Sequence, residues 1–289
     1  MSDVTPSRGN RIAAMVRGAL SIGPRLLAFL GARLLTSLDL IGASWWLLVS
    51  AVGWMLRSVH DRRVRLGRPA IITQMVRVGV RSVIIVSLVS GCVGLILALQ
   101  MAPPLDEFGQ KDKVANIVTV AVLRELGPLI GAIVLTGFAG ASIAAEIGTM
   151  VVSEEIEALE SLALDPVRFL VVPRVVASVV SMTVLAVIAD IVAVAAAMWI
   201  AMAALDVPFT TFWTNMLSQA KVVDLWTGIS KGTVFGLLIG IIACVNGLRV
   251  KGGAAGVGLA TTNTVVQCVV AIVMADLAFT AVFFALKLV

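Results

Sequence analysis

Residues Leu126–Pro166 read LGPLIGAIVLTGFAGASIAAEIGTMVVSEEIEALESLALDP. Leu126–Ala145 carries no charge, whereas Glu154–Glu160 packs four glutamates into seven residues. About 20 apolar residues of helix cross a ~30 Å hydrocarbon core, so the first part is sized for a bilayer and the second for water. The whole chain has this character. It is 60% hydrophobic and 13% charged over 289 residues, against roughly a quarter charged in a soluble domain. Further runs, Ser82–Leu105, Gly232–Leu248 and Gly252–Ala275, carry no charge, and Val175–Leu205 is interrupted once, by Asp190. The expected fold is an all-α integral membrane protein. It has about five transmembrane helices, near 74–101, 115–147, 168–204, 223–248 and 261–287, preceded by N-terminal amphipathic or interfacial helices.

The net charge is +5, and its excess is local: Arg8–Arg81 holds twelve arginines and two acids, Asp39 and Asp61. This divides the chain into a basic N-terminal arm, 1–72, and a five-helix domain, 73–289. Residues 1–9 are expected to lack order, and 10–36 alternate arginine with apolar residues at the spacing of a helix lying on a membrane. Anionic lipid suits this arm; nucleic acid does not, because the arginines are spread along apolar helices. The apolar stretch 41–59 is about long enough to span and equally suits a re-entrant or in-plane helix; Trp45, Trp46 and Trp54 favour an in-plane or partly inserted one, and His60 follows as a surface residue. The positive-inside rule puts the arm in the cytoplasm. Five crossings then put the acidic segment and the Arg249–Lys251 turn on the same side, with 102–113, 205–222 and the C-terminus outward.

Ser153 is a candidate N-cap, with Glu154 and Glu155 in the first helical turn, where the dipole favours them. Ile156, Leu159 and Leu162 recur along one face, flanked by Glu154, Glu157 and Glu160, and Asp165-Pro166 is the expected stop. A solvated loop needs no apolar stripe; a short helix that docks a soluble partner does. Within the spans, Arg124, Glu125, Asp190 and Asp276 are ionisable residues where ionisation is expensive, which marks function by default. Arg124 is a candidate partner for Asp190 or Asp276. Gly127-Pro128 weakens the helix just after Arg124 and Glu125. Gly131, Gly137, Gly140 and Ala144 form a small-residue stripe suited to helix packing. No metal-ligand spacing accompanies the three cysteines, and no catalytic set is visible. There is no G-x-x-x-x-G-K-[ST] phosphate loop, so ATP, if used, binds another polypeptide. An ion- or proton-coupled secondary carrier using Glu125, Asp190 and Asp276 is an alternative, although the internal repeat common in such carriers is not seen.

The motifs VLRELGP (122–128), AEIGTM (145–150), SEEIEALE (153–160), DPVRFLVVPR (165–174), NGLRVKGGAAGVGLATTNTVV (246–266) and ADLAFTAVFF (275–284) occur in order. Together they resemble the MlaE/YrbE-type permeases, membrane subunits of ABC transporters that work with MCE proteins to move lipids. The resemblance covers roughly residues 70 to 289. It implies a lipid-transporting permease in the bacterial inner membrane, paired with a second permease copy, identical or related, and with an MCE-domain protein. It implies that Ser153, Glu154, Glu155, Ile156, Glu157, Leu159 and Glu160 form a coupling helix on a separate ATPase, which carries ATP and Mg. Arg124, Glu125, Leu126, Pro128 and Leu129 are implied in a lipid pocket at the dimer centre. No cofactor is expected on this chain itself. One departure is Phe138, where related permeases commonly carry arginine.

Overall fold

The computed structural model describes residues 38–57 and 68–286, together with Gly31 and Leu35. The expectations for 1–9, for most of 10–36 and for His60 lie outside the described residues. By compactness the chain divides into Met1–Trp46 and Leu47–Val289, and the second unit holds every described helix after residue 57. Every described regular element is helical. They are α1 (Leu38–Arg57), α2 (Arg68–Val78), α3 (Val83–Glu107), α4 (Val114–Ala121), α5 (Gly127–Leu135), α6 (Ala141–Val152), α7 (Glu155–Ser161), α8 (Val172–Ala204), α9 (Phe209–Gln219), α10 (Val222–Leu248) and α11 (Gly253–Ala285).

Six helical stretches among the described residues are long and apolar enough to cross a membrane. Five correspond to the expected spans. The sixth is α1, the segment whose tryptophans favour an in-plane or partly inserted helix. The first span is longer than expected at both ends, Pro69–Glu107 rather than 74–101. The loop 205–222, expected to face outward, contains α9, whose Phe212 is buried in a cluster with residues of α3, α4 and α8. In addition, α11 starts at Gly253 rather than near 261. The small residues of 253–260 are compatible with helix, and Gly252 and Gly253 supply the positive φ of the tight turn that precedes it.

Lipid tails are as apolar as leucine, so membrane helices gain little by hiding apolar surface from lipid; they associate through close packing and polar contacts. The sequence provides both. On α3, Ser90, Gly94, Ala98 and Ala102 are buried at four-residue intervals. Ala98 and Ala102 share a buried cluster with Ala193, Ala197 and Ala201 of α8, and a Cβ at Gly94 would overlap the Ala193 carbonyl. On α10 the stripe is Gly228, Gly232, Gly236 and Gly240, and a Cβ at Gly236 would lie 2.7 Å from the Ser178 carbonyl oxygen of α8. Helix α10 is therefore the central post, with α8, α6, α11 and α5 around it. The expected stripe on the second span is partly right: Gly131, Gly140 and Ala144 pack inside, whereas Gly137 is exposed with open space around it.

The second span is one rod from Lys111 to Val152. Two π-helical segments, Val122–Leu126 and Thr136–Gly140, interrupt its α-helical ladder. A third π-segment, Val167–Val171, leads into α8.

Overpacking at a backbone contact costs about 1–3 kcal/mol. Gly94→Val is accordingly expected to lower the thermal midpoint of the detergent-solubilised protein, followed by loss of the monodisperse peak on size exclusion. Gly137→Ala, facing open space, should leave that midpoint unchanged or raise it.

Candidate functional site

Pro128 has no N–H with which to close a bond onto the residue-124 carbonyl, and the π-segment lies immediately before it. The extra residue in this turn re-aims the side chains it carries, and these are Arg124 and Glu125. Their partners come from distant parts of the sequence. Arg124 Nε donates to Asp224 Oδ1 on α10 at 2.6 Å. Asp224 is buried and also accepts the Lys221 backbone N–H at 3.0 Å, closing the first turn of α10.

Glu125 meets Lys231, which stands two turns beyond Asp224 on the same face of α10. The Lys231 side chain is 1% exposed. Three oxygens surround its Nζ: Glu125 Oε2 at 2.5 Å, Asp276 Oδ1 at 2.8 Å and Thr280 Oγ1 at 3.2 Å. Thr280 Oγ1 also lies within bonding distance of Glu125 Oε1, at 3.1 Å, and of the Asp276 carbonyl, at 3.0 Å. An ammonium has three donors, and three oxygens lie around it. A lone charge at a helix centre in lipid costs about 2.5–3.5 kcal/mol on insertion scales, and each of these charges has an opposite partner. The cluster is open on one side: the Glu125 side chain is 37% exposed and that of Arg124 20%. Leu126, Leu129 and Ile130 beside them are half-buried, while Pro128 is buried near Gly228 of α10.

These contacts correct the expected pairing. Arg124 binds neither Asp190 nor Asp276. Asp276 belongs to Lys231, and Asp190 has no hydrogen bond or ion pair among the described residues. Asp190 lies against Gly127, where a Cβ would overlap Oδ1. It also borders an apolar cavity of about 350 Å³ formed with Thr119, Val194, Met198, Trp213 and Leu225. The sequence reading missed Asp224, Lys231 and Thr280. A signal for the first two was present: they stand seven residues apart, hence on one helix face, and Lys231 immediately precedes the uncharged run that begins at Gly232.

The acidic segment folds as the short helix α7, with two local corrections. Ser153 is not its N-cap. Its Oγ bonds back to the Thr149 carbonyl at 3.0 Å and to Glu155 Oε1 at 3.0 Å, ending α6. Glu154 takes the N-cap position with φ +60, so it is not in the first turn. Asp165-Pro166 does not stop the helix either, since α7 ends at Ser161. Asp165 instead begins the next segment, its Oδ1 accepting the Val167 N–H at 2.8 Å and its Oδ2 the Trp54 Nε1–H at 3.0 Å. Ile156 and Leu159 are half-buried, whereas Leu162 has left the helix and is exposed. The outward surface is formed by Glu154, Glu155, Glu157 and Glu160, all exposed. Phe138 is also exposed, on the second π-segment.

The sequence from 71 to 282, which includes both the Lys231 network and α7, matches the family model described as Permease MlaE. The chain belongs to the MlaE permease family. It is 37% identical to a probable ABC transporter permease protein of Rickettsia prowazekii, over 74% of this chain and 83% of that one. It is 34% identical to a probable ABC transporter permease protein of Synechocystis sp., over 75% and 83%. It is 31% identical to the intermembrane phospholipid transport system permease protein MlaE of Haemophilus influenzae, over 77% and 85%. MlaE-family membership decides between the two functions the sequence allowed: the chain is an ABC transporter permease and not a secondary carrier. Within the MlaE framework, Glu125, Lys231 and Asp276 are therefore groups of a permease core.

Removing one member of a buried ion pair costs about 3–5 kcal/mol, because a charge is left without its partner. Lys231→Met is expected to abolish recovery of folded protein, or to lower its thermal midpoint sharply. Adding Glu125→Gln and Asp276→Asn to Lys231→Met should restore much of the loss, read by size exclusion and thermal unfolding.

Proposed function

We propose that this chain is the membrane subunit of an ABC transporter that moves phospholipid between membranes of a bacterial envelope. The observation that carries the reading is the half-open charge network of Arg124, Glu125 and Lys231 beside apolar walls, in a chain whose relatives include a phospholipid transport permease. A two-tailed lipid needs mostly apolar walls with a few polar groups that orient its head. Leu126, Leu129 and Ile130 supply the walls. The Arg124 guanidinium suits a phosphate, and the exposed edge of Glu125 suits a cationic or hydroxylated head. Two copies, identical or related, enclose the pocket between them, and an MCE-domain protein receives or delivers the lipid on the outer side. The protein lies in the inner membrane with its N-terminus cytoplasmic and its C-terminus outward, α1 lying in the interface.

Helix α7 is the coupling helix, and a separate ATPase carries ATP and Mg. Ile156 and Leu159 are half-buried and the glutamates are exposed, so the docking face includes the row of glutamates, complementary to a basic groove. Charge reversal tests this without disturbing the packing of α7. Glu157→Lys with Glu160→Lys should leave the permease in the membrane but strip the ATPase from it on affinity purification. Full retention of the ATPase would remove α7 from that role.

The pocket is tested by Glu125→Gln. Asp276 still neutralises Lys231 in this variant, so assembly should persist. Transport of fluorescent phospholipid in reconstituted vesicles, or the basal ATPase rate, should change about three- to tenfold, the change that the ~0.5–1.5 kcal/mol net contribution of one hydrogen bond corresponds to. An assembled Glu125→Gln transporter working at the unmodified rate would rule out this pocket.

A further inference from the structure

A second set of charges lies at the α7 end of the bundle, and the lipid pocket does not use it. Glu146 of α6 stands between two arginines. Its Oε1 is 3.0 Å from Arg174 of α8, and its Oε2 is 2.9 Å from Arg77 of α2. Arg174 is 5% exposed, too deep to act as a surface charge. Its other contacts are structural: NH1 donates to the Leu170 carbonyl at 2.8 Å, and NH2 lies 4.0 Å from Met150 Sδ.

The placement of these contacts is what matters. Helix α7 is held by two stems. One is the end of α6, which carries Glu146 and Met150. The other is the π-segment Val167–Val171 running into α8, which carries Leu170 and Arg174. A single planar guanidinium therefore binds both stems, which a lysine ammonium, a point charge, would not do with the same geometry. Glu146 extends the link to α2. That helix packs on α8, and its ionic tie to α6 is Arg77. One residue separates Arg77 from Gly79, where α2 gives way to a 3-10 turn, Val80–Ser82, that leads into α3. A Cβ at Gly79 would lie 2.6 Å from Ser181 Oγ of α8, so this junction is pressed onto the bundle.

We propose that Arg77, Glu146 and Arg174 form a positioning link that joins both stems of α7 to α2, so that displacement of α7 by the ATPase reaches the transmembrane helices. The inference rests on the reading of α7 as the coupling helix. It adds the route by which a push on seven residues is carried into the membrane. The link is separate from lipid recognition: none of the three residues belongs to the Lys231 network.

The test measures phospholipid moved per ATP hydrolysed in the reconstituted transporter, with ATPase retention and thermal midpoint measured alongside. Glu146→Gln keeps the shape of the side chain and removes the negative charge that both arginines face. Arg77→Gln cuts only the arm to α2, and Arg77 is 43% exposed, so the fold has little reason to fail. Both variants should retain the ATPase and keep hydrolysing ATP, while the lipid moved per ATP falls about fivefold or more, at the upper part of what coupling mutations produce. Transport per ATP within about twofold of the unmodified protein in both variants would overturn the proposal. So would a lowered thermal midpoint or lost ATPase in Arg77→Gln, which would make the link a stabilising contact only. If the unmodified chain retains no ATPase, the reading of α7 fails instead, and the two failures are distinguished by that control.

Discussion

A lysine ammonium with almost no access to solvent, in a span meant for lipid, must be surrounded by oxygens or it cannot be there as a charge. Lys231 meets this constraint with one carboxylate from the second span and a carboxylate and a hydroxyl from the last. The geometry can be satisfied in one way only: α10 must lie between the Glu125 turn and α11, at fixed rotation and fixed depth. Buried ion pairs contribute little net stability relative to apolar residues of the same volume. What they set here is register, since a helix rotated or slid by one residue would leave a charge facing lipid. Asp224 and Arg124 apply the same constraint two turns away on α10, so the post is fixed at two heights.

The apolar surfaces could not do this by themselves, because neighbouring lipid and neighbouring helix are nearly equivalent partners for a leucine. The small-residue contacts between α3 and α8, and between α10 and α8, bring backbones together without choosing strongly among nearby registers. Charge chooses and close packing then holds. The π-segment at Val122–Leu126 joins the two, because it is where the second span departs from a regular helix to aim Arg124 and Glu125 at α10.

This division explains what was legible in the sequence. Hydropathy is a property of short windows, and it located the spans and the water-facing α7. The cost of charge in lipid singled out Arg124, Glu125, Asp190 and Asp276. Pairing was not legible, because it depends on which faces meet: Arg124 and Asp224 are 100 residues apart and Glu125 and Lys231 are 106. Proximity in type, a cation and any nearby acid, suggested Arg124 for Asp276 and was wrong. Ser153 and Asp165 were misread for a related reason. Each has the side chain of a cap, but the caps they form belong to the adjacent segments, since a left-handed Glu154 shifts the start of α7. Helix α9 was hidden by its moderate polarity, and what fixes it is the burial of Phe212 among residues of three other helices.

The rod from Lys111 to Val152 carries an acid from each charge system, Glu125 in the core network and Glu146 in the α7 link. Along a helix at 1.5 Å per residue they stand roughly 30 Å apart, about the thickness of the hydrocarbon core. The second π-segment, Thr136–Gly140, lies between them. A continuous α-helix pinned by charge at both ends would transmit any shift of one end to the other without loss. A π-segment is a turn whose ladder is out of step with its neighbours, and it can take up a small rotation or translation locally. Gly137 and Phe138, its exposed residues, are not tightly enclosed and so do not block such an adjustment. The rod is thus held by ion pairs at its two acids, the first of them on a π-segment of its own, with a second π-segment between them. In the permease reading, that arrangement lets the α7 end move while Glu125 keeps its contact with Lys231.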